Sequence, residues 1–388
     1  MSGANAIPLS VLDLSPITSG GTAADALHNT LDLARHAERL GYSRYWIAEH
    51  HLSPSVAAAA PAVLIALVVS ATERLRVGSG AALIANSTPL LLAEQFGTIA
   101  QLHPGRVDLG LGRSGSKRFA EVAAESAKAP AGGVAPIGRG AVVDGVVIPA
   151  RTAISFDTEL FRIKARLLGQ VDGADDDYSG QVRDVLRFLR GDYRTDQGIS
   201  LRALPAENAD LQVWVLGSSA GASAAAAGEH GLPYAANYHL GGATVLESVA
   251  AYRAAFRPSE RLAEPYVMVS ADVIVAEDDE SAARLAAPTA LWVLNMRRGL
   301  ATGPFPSEAE AEAHEWTDEE RTYVADRIST HIAGSPATVT SKLRRLAAVT
   351  GADELLITTI TARHADRVRS YELLAEAWGG QRARSAVE

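Results

Sequence analysis

Short apolar runs alternate with longer segments of helical periodicity along most of the chain. The run Pro8–Leu14 predicts a strand, and Ala23–Gly41 then repeats apolar residues on one helical face. This alternation recurs down to the C-terminal region. The predicted strands are, in chain order, Pro8–Leu14, Arg44–His50, Arg76–Ile84, Val107–Arg113, Leu211–Leu216, Tyr234–Tyr238, Tyr266–Val275 and Leu355–Ile360.

Eight strand–helix alternations predict a parallel sheet, because parallel neighbours need crossover connections, which are usually helices. One connection, Pro61–Ala71, is apolar nearly all round, which predicts a buried helix. The sheet could close into a barrel or remain open and doubly wound. The eighth strand is followed by its own helix, Ala365–Trp378, which favours closure. The predicted fold class is therefore α/β, a (β/α)8 TIM barrel.

Two segments interrupt the alternation, after the fourth strand and after the seventh. Residues 114–157 carry Pro, Gly and Ala without a clear period, and Asp144-Gly145 between valine pairs predicts a β-hairpin inside them. After the seventh strand, Asp279–Arg298 and Ser307–Ile328 are predicted helices, and a mobile lid is expected over about residues 297–327. We thus predict one barrel domain over residues 1–378 and a tail over residues 379–388.

Composition and charge exclude several classes of protein. The chain has 388 residues and a net charge of -9, which argues against nucleic acid as a partner. It has no cysteine, so disulfides, thiolate metal sites and a cysteine nucleophile are excluded. The longest apolar stretch, Ala57–Val69, is too short to span a bilayer, and the N-terminus lacks a signal-peptide pattern. We expect a cytoplasmic protein that does not bind membranes.

The triplet Glu49-His50-His51 ends the second predicted strand, where a (β/α)8 barrel carries catalytic groups. Successive side chains of a strand point in opposite directions, so His50 and His51 are not expected to bind one metal together. No metal site is predicted. Two interpretations stay open: loop histidines satisfied by local hydrogen bonds, or acid/base residues of an active site.

Glycines also mark the ends of the third and fourth predicted strands. Gly110-Leu-Gly112-Arg113-Ser-Gly115 matches the spacing of a dinucleotide fingerprint, but an irregular insertion follows it instead of a helix. We interpret it as a strand end that admits a ligand close to the backbone, with Arg113 either binding an anion or exposed to solvent. Gly80-Ala81-Ala82 would let a flat ligand approach the third strand, or allow close packing inside the barrel.

The segment Gly217-Ser218-Ser219-Ala220-Gly221 joins the fifth predicted strand to the next helix. It matches G-x-S-x-G, in which Ser219 would be a hydrolase nucleophile with His239, His331 or His364 as its base. The same residues could instead offer backbone N–H groups to a phosphate, or simply cap the helix. Phosphate binding is favoured, because the chain has no HGGG-type oxyanion segment.

In this order, the motifs resemble those of the bacterial luciferase-like flavin-dependent oxidoreductases. The resemblance covers nearly the whole chain except residues 117–156. It implies a (β/α)8 barrel, usually dimeric, that binds reduced FMN or the deazaflavin F420 at the C-terminal mouth. The segments that carry it are RLGYSRYWIAEHH, VGSGAALIANSTPLLLAEQFGTIAQLHPGRVDLGLGRS, VWVLGSSAGASAAAAGEHGLPYAANYH and AGSPATVTSKLRRLAAVTGADELLITT.

The resemblance also implies roles for individual residues. His50 corresponds to a family histidine near the reactive edge of the flavin, a candidate acid/base. Gly80-Ala81 corresponds to a position that often holds a non-proline cis peptide under the flavin ring. The expected pocket positions are His51, Asn237, Tyr238 and His239. The expected phosphate-binding positions are Arg113, Tyr178, Ser218, Ser219, Ala220 and Gly221.

The implied reaction is that of a two-component monooxygenase. A separate flavin reductase would supply FMNH2, and a flavin C4a-hydroperoxide formed with O2 would oxygenate a small organic substrate. FMN is preferred over F420, because F420 users often carry Asp-His-Phe and Gly-Thr-Gly where this chain has Glu49-His50-His51 and Gly112-Arg113-Ser114. Gly112 replaces a cysteine of true luciferase, which argues against light emission. The alternatives are a serine hydrolase using Ser219, an F420-dependent oxidoreductase and a non-catalytic flavin-binding barrel.

Overall fold

Parallel strands form a closed barrel in the computed structural model, which describes residues 7–113, 121, 123–125, 127–129, 133–155, 158–170, 177–298 and 303–385. The strands are β1 (Leu9–Asp13), β2 (Arg44–Ile47), β3 (Arg76–Ser79), β4 (Ala82–Leu83), β5 (Val107–Gly112), β6 (Val134–Ile137), β7 (Ala141–Val143), β8 (Val146–Ile148), β9 (Arg151–Ile154), β10 (Leu211–Gly217), β11 (Tyr234–Asn237), β12 (Val267–Val275), β13 (Ile332–Gly334) and β14 (Glu354–Thr358).

The barrel order is β1-β2-β3-β5-β10-β11-β12-β14, and β14 pairs in parallel with β1 to close it. In that closing pair, Leu9 lies beside Leu355 and Val11 beside Ile357. The predicted (β/α)8 fold class and all eight predicted barrel strands are confirmed. The open-sheet alternative is wrong, because both edges of the sheet are paired.

Helices connect the strands and cover the outside of the barrel. They are α1 (Ala23–Arg39), α2 (Pro61–Ser70), α3 (Pro89–Leu102), α4 (Thr158–Leu167), α5 (Tyr178–Arg190), α6 (Ala222–Glu229), α7 (Val245–Ala255), α8 (Asp279–Arg297), α9 (Glu308–Ala313), α10 (Asp318–Ile328), α11 (Pro336–Thr350) and α12 (His364–Ser385). Thr88 and Ser335 cap α3 and α11, and each is followed by a proline, which needs no backbone donor at the first helical position.

Three helix predictions need correction. The predicted helix Ser307–Ile328 is two helices, because the capping box between Thr317 and Glu320 starts α10 separately from α9. The last helix continues to Ser385 instead of ending at Trp378. Most importantly, α2 is not a buried helix, since Val63 is 61% exposed and Leu67 52% exposed. The barrel covers one face of α2 and leaves an apolar outer face.

The insertion after β5 lies beside the barrel mouth. Its strands β6 and β9 pair antiparallel, as do β7 and β8. The hairpin predicted at Asp144-Gly145 is confirmed, and both residues have positive φ, 46° and 80°, as a tight two-residue turn requires. The phenolic O–H of Tyr238 donates to the carbonyl of Val147 at 2.8 Å and so ties this hairpin to the end of β11. Part of the predicted insertion lies outside the described residues.

Charged side chains close the end of the barrel where the strands begin. Arg44 donates through Nη1 to Asp108 at 2.8 Å and through Nε to Glu354 at 3.2 Å. Trp46 Nε1 donates to the same Asp108 carboxylate at 2.9 Å. Trp46 packs edge-on against Trp214 above this layer. The interior is therefore filled at this end, and in the part of the chain that the structure describes a cavity for a ligand lies at the C-terminal end of the strands. Within the described residues, no helix has the length and apolar character needed to cross a membrane.

Candidate functional site

A cavity of about 400 Å3 lies at the C-terminal mouth of the barrel. Its base is formed by apolar residues of the barrel interior, including Leu12 and Leu356, and α8 contributes Trp292 and Met296 to its wall. This is the end at which (β/α)8 enzymes carry their active sites.

The side chains of His50 and His51 diverge after β2, as their positions in the strand predicted. His50 lines the cavity, and its ring forms no hydrogen bond with any described residue. His51 Nε2 instead lies 2.8 Å from Glu49 Oε1. Glu49 also accepts hydrogen bonds from the backbone N–H of Leu83 and from Asn86 Nδ2, both at 2.8 Å. His51 therefore lies outside the cavity lining and stabilises the loop through Glu49. Both ring nitrogens of His50 remain available to a ligand.

The pKa of both histidines that line the cavity is lowered, which favours the neutral ring. Loss of bulk water around the ring lowers the pKa of His50, although nearby Glu49 opposes this effect. Burial lowers the pKa of His239 to about 4. His239 Nδ1 lies 2.7 Å from Ser270 Oγ, which fixes the orientation of its ring. At neutral pH each ring thus has one nitrogen that can accept a proton.

Small residues line the wall at the ends of β3 and β5. The peptide bond between Gly80 and Ala81 is cis, which confirms the expectation from the resemblance. A Cβ atom on Gly80 would lie 2.8 Å from Leu12 Cδ1, and one on Gly112 would lie 2.8 Å from the Cβ of Ala81. Larger side chains would crowd this wall, and the glycines keep it low enough for a flat ligand to contact the backbone.

A recess of about 60 Å3 adjoins the cavity beside β5 and β10. Helix α6 begins there, and its N-cap, Gly221, provides no side-chain hydrogen bond to the first turn. The N–H groups of that turn are therefore free to bind an anion. Arg113 lines the same recess and forms an ion pair with Glu121. Of the expected phosphate-binding residues, the structure brings Arg113, Ser218 and Ser219 together here, and Ala220 precedes the N-cap without lining the recess.

Two tyrosines lie away from the cavity. Tyr178 is 2% exposed, and its O–H donates to the carbonyl of Leu111 at 2.9 Å, behind the barrel wall. Tyr238 is 3% exposed and points toward the insertion, while its neighbours Asn237 and His239 line the cavity. For Tyr238, side-chain alternation continuing from β11 explains the direction, because every second residue faces away from the mouth. Tyr178 instead begins helix α5 outside the barrel wall. The structure therefore does not place Tyr178 or Tyr238 where the resemblance expected them.

Ser219 lacks the partner that a nucleophile needs. Among the described residues, no hydrogen bond joins it to a histidine. His239 is bonded to Ser270, and His364 Nε2 lies 2.9 Å from Asp32 in the outer helical layer. His331 lies beside Asp272, at the other side of the cavity. The geometry thus gives no support to the hydrolase alternative.

Sequence reasoning missed an acidic residue and an arginine in the cavity wall. Asp272 lies on β12, and Arg327 lies on α10 and was noted only as the end of a lid. Arg327 Nη2 lies 3.3 Å from Asp272 Oδ2. The available signal was the strand VMVSADVIV, in which Ser270 and Asp272 place polar side chains on one face of an otherwise apolar strand.

Comparison with known proteins identifies a family and several similar proteins. The family model described as luciferase-like monooxygenase matches residues 7–133 and 182–354. The chain is 36% identical over 372 residues to uncharacterized protein YvbT of Bacillus subtilis (strain 168), covering 95% of this chain and 96% of that protein. It is 32% identical over 367 residues to the luciferase-like monooxygenase of Escherichia coli (strain K12), covering 95% and 96%. The crystal structure of apo-MsnO8 matches with a TM-score of 0.77 at 30% identity, covering 96% of this chain and 98% of that chain.

Proposed function

Because the chain belongs to the luciferase-like monooxygenase family, whose members use the flavins FMN or F420, we propose that it is an FMNH2-dependent monooxygenase that oxygenates a small organic substrate. One observation carries the choice of function. The anion recess at Arg113 and α6 opens into the cavity whose wall contains Gly80 and Ala81, and His50 lines the same cavity. A candidate phosphate site, a flat wall and an imidazole without a hydrogen-bond partner among the described residues thus lie in one continuous cavity.

The residues present fit a flavin phosphate and ring. Arg113 and the uncapped N–H groups of α6 would hold the phosphate dianion, since a helix N-terminus and a guanidinium both attract negative charge. Gly80 and Ala81 would lie against one face of the ring. We propose FMN as the cofactor, and not F420, because Glu49-His50-His51 and Gly112-Arg113-Ser114 differ from the triplets common among F420 users. Reduced flavin, when bound, supplies the activation of O2.

The protein's own groups would control proton transfer and water. The lowered pKa of His50 favours a neutral ring, and the ring has no hydrogen-bond partner in the described chain, so a ring nitrogen would be able to take a proton from the substrate and later return it. Glu49 and His51 would hold the loop that carries His50. Trp292 and Met296 of α8 cover one side of the cavity and would limit the entry of water. The lid predicted over about residues 297–327 would complete this cover, and residues 299–302 of that prediction lie outside the described residues.

Anaerobic titration with FMNH2 followed by admission of O2 tests the proposal. We expect FMNH2 to bind, F420H2 to bind more weakly, and O2 to produce a transient flavin absorbance that differs from free FMN. A reductase-coupled assay should then show O2 uptake stimulated by a substrate. Absence of FMNH2 binding, or flavin oxidation identical to that in buffer, would contradict the proposal. Tight binding without substrate-stimulated O2 uptake across a panel would favour a non-catalytic flavin protein.

The exposed apolar face of α2 supports a further part of the proposal, a homodimer. Val63 and Leu67 lie one helical turn apart on this face, and the neighbouring helix α3 exposes Leu91 and Leu102. Leu67→Glu is expected to convert the dimer to a monomer, because it would bury a carboxylate in the interface. Light scattering after size-exclusion chromatography measures the mass. The control is Leu167→Glu, on α4, where a leucine that is 69% exposed, against 52% for Leu67, should tolerate the change. A monomeric wild type would overturn the dimer proposal.

A further inference from the structure

Arg327 is a nearly buried cation with few partners. Its side chain is 11% exposed, and its one hydrogen bond to a described residue joins Nη2 to Asp272 at 3.3 Å. Its Nε is fully enclosed and has no hydrogen-bond partner among the described residues. A guanidinium has five N–H donors, and buried donors without acceptors are unfavourable. The arrangement is therefore incomplete in the absence of an additional acceptor.

A neighbouring arginine shows what a completed arrangement looks like. Arg297 is 10% exposed, and its Nη1 and Nη2 lie 2.7 Å and 2.8 Å from the two oxygens of Asp326. Both arginines line a second cavity of about 520 Å3, next to the insertion. Arg327 alone of the two also lines the barrel cavity. The arginine with unused donors is thus the one that faces the candidate active site.

Other unpartnered polar groups surround the same position. Thr358 Oγ1, at the end of β14, is buried and forms no hydrogen bond. The His331 ring forms none with the described residues, and burial lowers its pKa, which favours the neutral ring. Both residues lie with Asp272 around a small recess beside the cavity. We call Asp272, Arg327, His331 and Thr358 the Arg327 subsite.

Asp272 and Thr358 of the subsite lie across the barrel from Gly80 and Arg113, whereas Arg327 also shares the second cavity with Ser218 and Ser219 of the anion recess. In the closed order of eight strands, β12 is four places from β3, and β14 is four places from β5. Gly80 and Arg113 therefore mark one side of the mouth and Asp272 and Thr358 the opposite side. His50 follows β2 and His239 follows β11, so both lie between the two sides. A ligand on the Arg327 side would face the proposed flavin across these histidines.

We propose that the Arg327 subsite binds the carboxylate of an organic-acid substrate. A planar guanidinium with spare N–H groups matches a carboxylate, and Thr358 and His331 can add donors to it. Asp272 accepts a hydrogen bond from Nη2 of Arg327, and the remaining N–H groups of the guanidinium are left for the ligand. The apolar part of the acid would pack on Trp292 and Met296 and extend toward His50. The term substrate rests on the proposed function, whereas carboxylate binding does not require flavin.

Titration of the full-length protein with hexanoate and with hexanamide, followed by ligand-observed NMR, tests this proposal. Hexanoate is expected to bind about tenfold more tightly than the amide, which lacks the charge. Arg327→Gln should weaken hexanoate binding about tenfold, and Arg327→Lys should weaken it less. Thr358→Val should also weaken it without loss of thermal stability, since the hydroxyl bonds nothing in the protein.

Arg113→Gln locates the binding, because it alters the opposite side of the mouth and should leave hexanoate affinity unchanged. The proposal is overturned if the wild type does not bind hexanoate, if the amide binds equally well, or if Arg113→Gln removes binding while folded Arg327 variants retain it. FMNH2 binding measured on the same preparations separates the two questions. Loss of FMNH2 binding with Arg327-dependent hexanoate binding would contradict the flavin proposal alone.

Discussion

Replacing Asp13 with asparagine is expected to lower the free energy of unfolding by about 3–5 kcal/mol, the cost typical of a broken buried ion pair. Asp13 ends β1 and is fully buried. Its carboxylate accepts hydrogen bonds at 2.6 Å from Arg367 Nη2, Thr30 Oγ1 and the Tyr45 hydroxyl. Arg367 on α12 is only 2% exposed, so the substitution would leave an uncompensated cation in the protein interior.

The same carboxylate sets a direction for the pH dependence of stability. Burial alone would raise the pKa of Asp13, but Arg367 and the hydrogen bonds outweigh burial, and the pKa is lowered. A lowered pKa means that the stabilisation is present above the unfolded-state pKa of ~3.9 and is lost as the pH falls below it. Asp13→Asn should therefore reduce the acid sensitivity that this group contributes.

Denaturation in urea measures the effect, with Glu280→Gln as the control. Glu280 pairs with Arg284 at 3.0 Å, but both side chains are exposed, at 88% and 59%. An exposed pair contributes about 0–1 kcal/mol, so the control should unfold close to the wild-type midpoint. If both variants lose the same stability, the buried pair does not hold α12 on the barrel.

The barrel could be predicted because its strands and helices are each indicated by a pattern of neighbouring residues. Each strand is a short apolar run, each helix has a repeating apolar face, and parallel strands require the crossovers between them. The wrong prediction that α2 is buried shows what such local patterns cannot determine. A helix apolar all round is consistent with burial by its own chain or by another molecule, and Val63 and Leu67 turn out to face outward. Nothing in the sequence of α2 distinguishes these two cases.

The candidate site was predictable where a motif and its strand end coincide. His50, Gly80, Ala81 and Arg113 all follow barrel strands, so the fold alone brings them to one mouth. Tyr238 was misplaced because its direction depends on one step of strand alternation. The contact between Asp272 and Arg327 joins residues 55 positions apart. Asp272 lies on strand β12, and Arg327 lies on helix α10 in the irregular connection that follows it. Such a contact depends on how the two elements pack together, and hydrophobic periodicity predicts the elements but not their packing.

His50→Ala and Arg113→Ala are expected to separate chemistry from flavin binding. Removing the His50 ring should lower kcat by about 10²–10⁴-fold, the usual contribution of a general acid/base, and leave FMN affinity nearly unchanged. Because its pKa is lowered, the wild-type rate should fall only when the pH drops below the usual histidine range, where the ring becomes protonated. Stopped-flow oxidation of bound FMNH2 and a reductase-coupled assay with an accepted substrate supply the two readouts.

Arg113→Ala should instead weaken FMN binding about tenfold or more, because a charge-assisted contact to the phosphate is lost from the recess. At saturating FMN its kcat should stay near the wild-type value, since Arg113 would contact the phosphate in the proposed binding mode, whereas His50 would act at the ring. Riboflavin is the matched control: it lacks the phosphate, so its affinity should be the same in the wild type and in Arg113→Ala. Equal weakening of riboflavin would mean that the substitution disturbs the ring site, and a variant defective in kcat alone would exchange the roles assigned to Arg113 and His50.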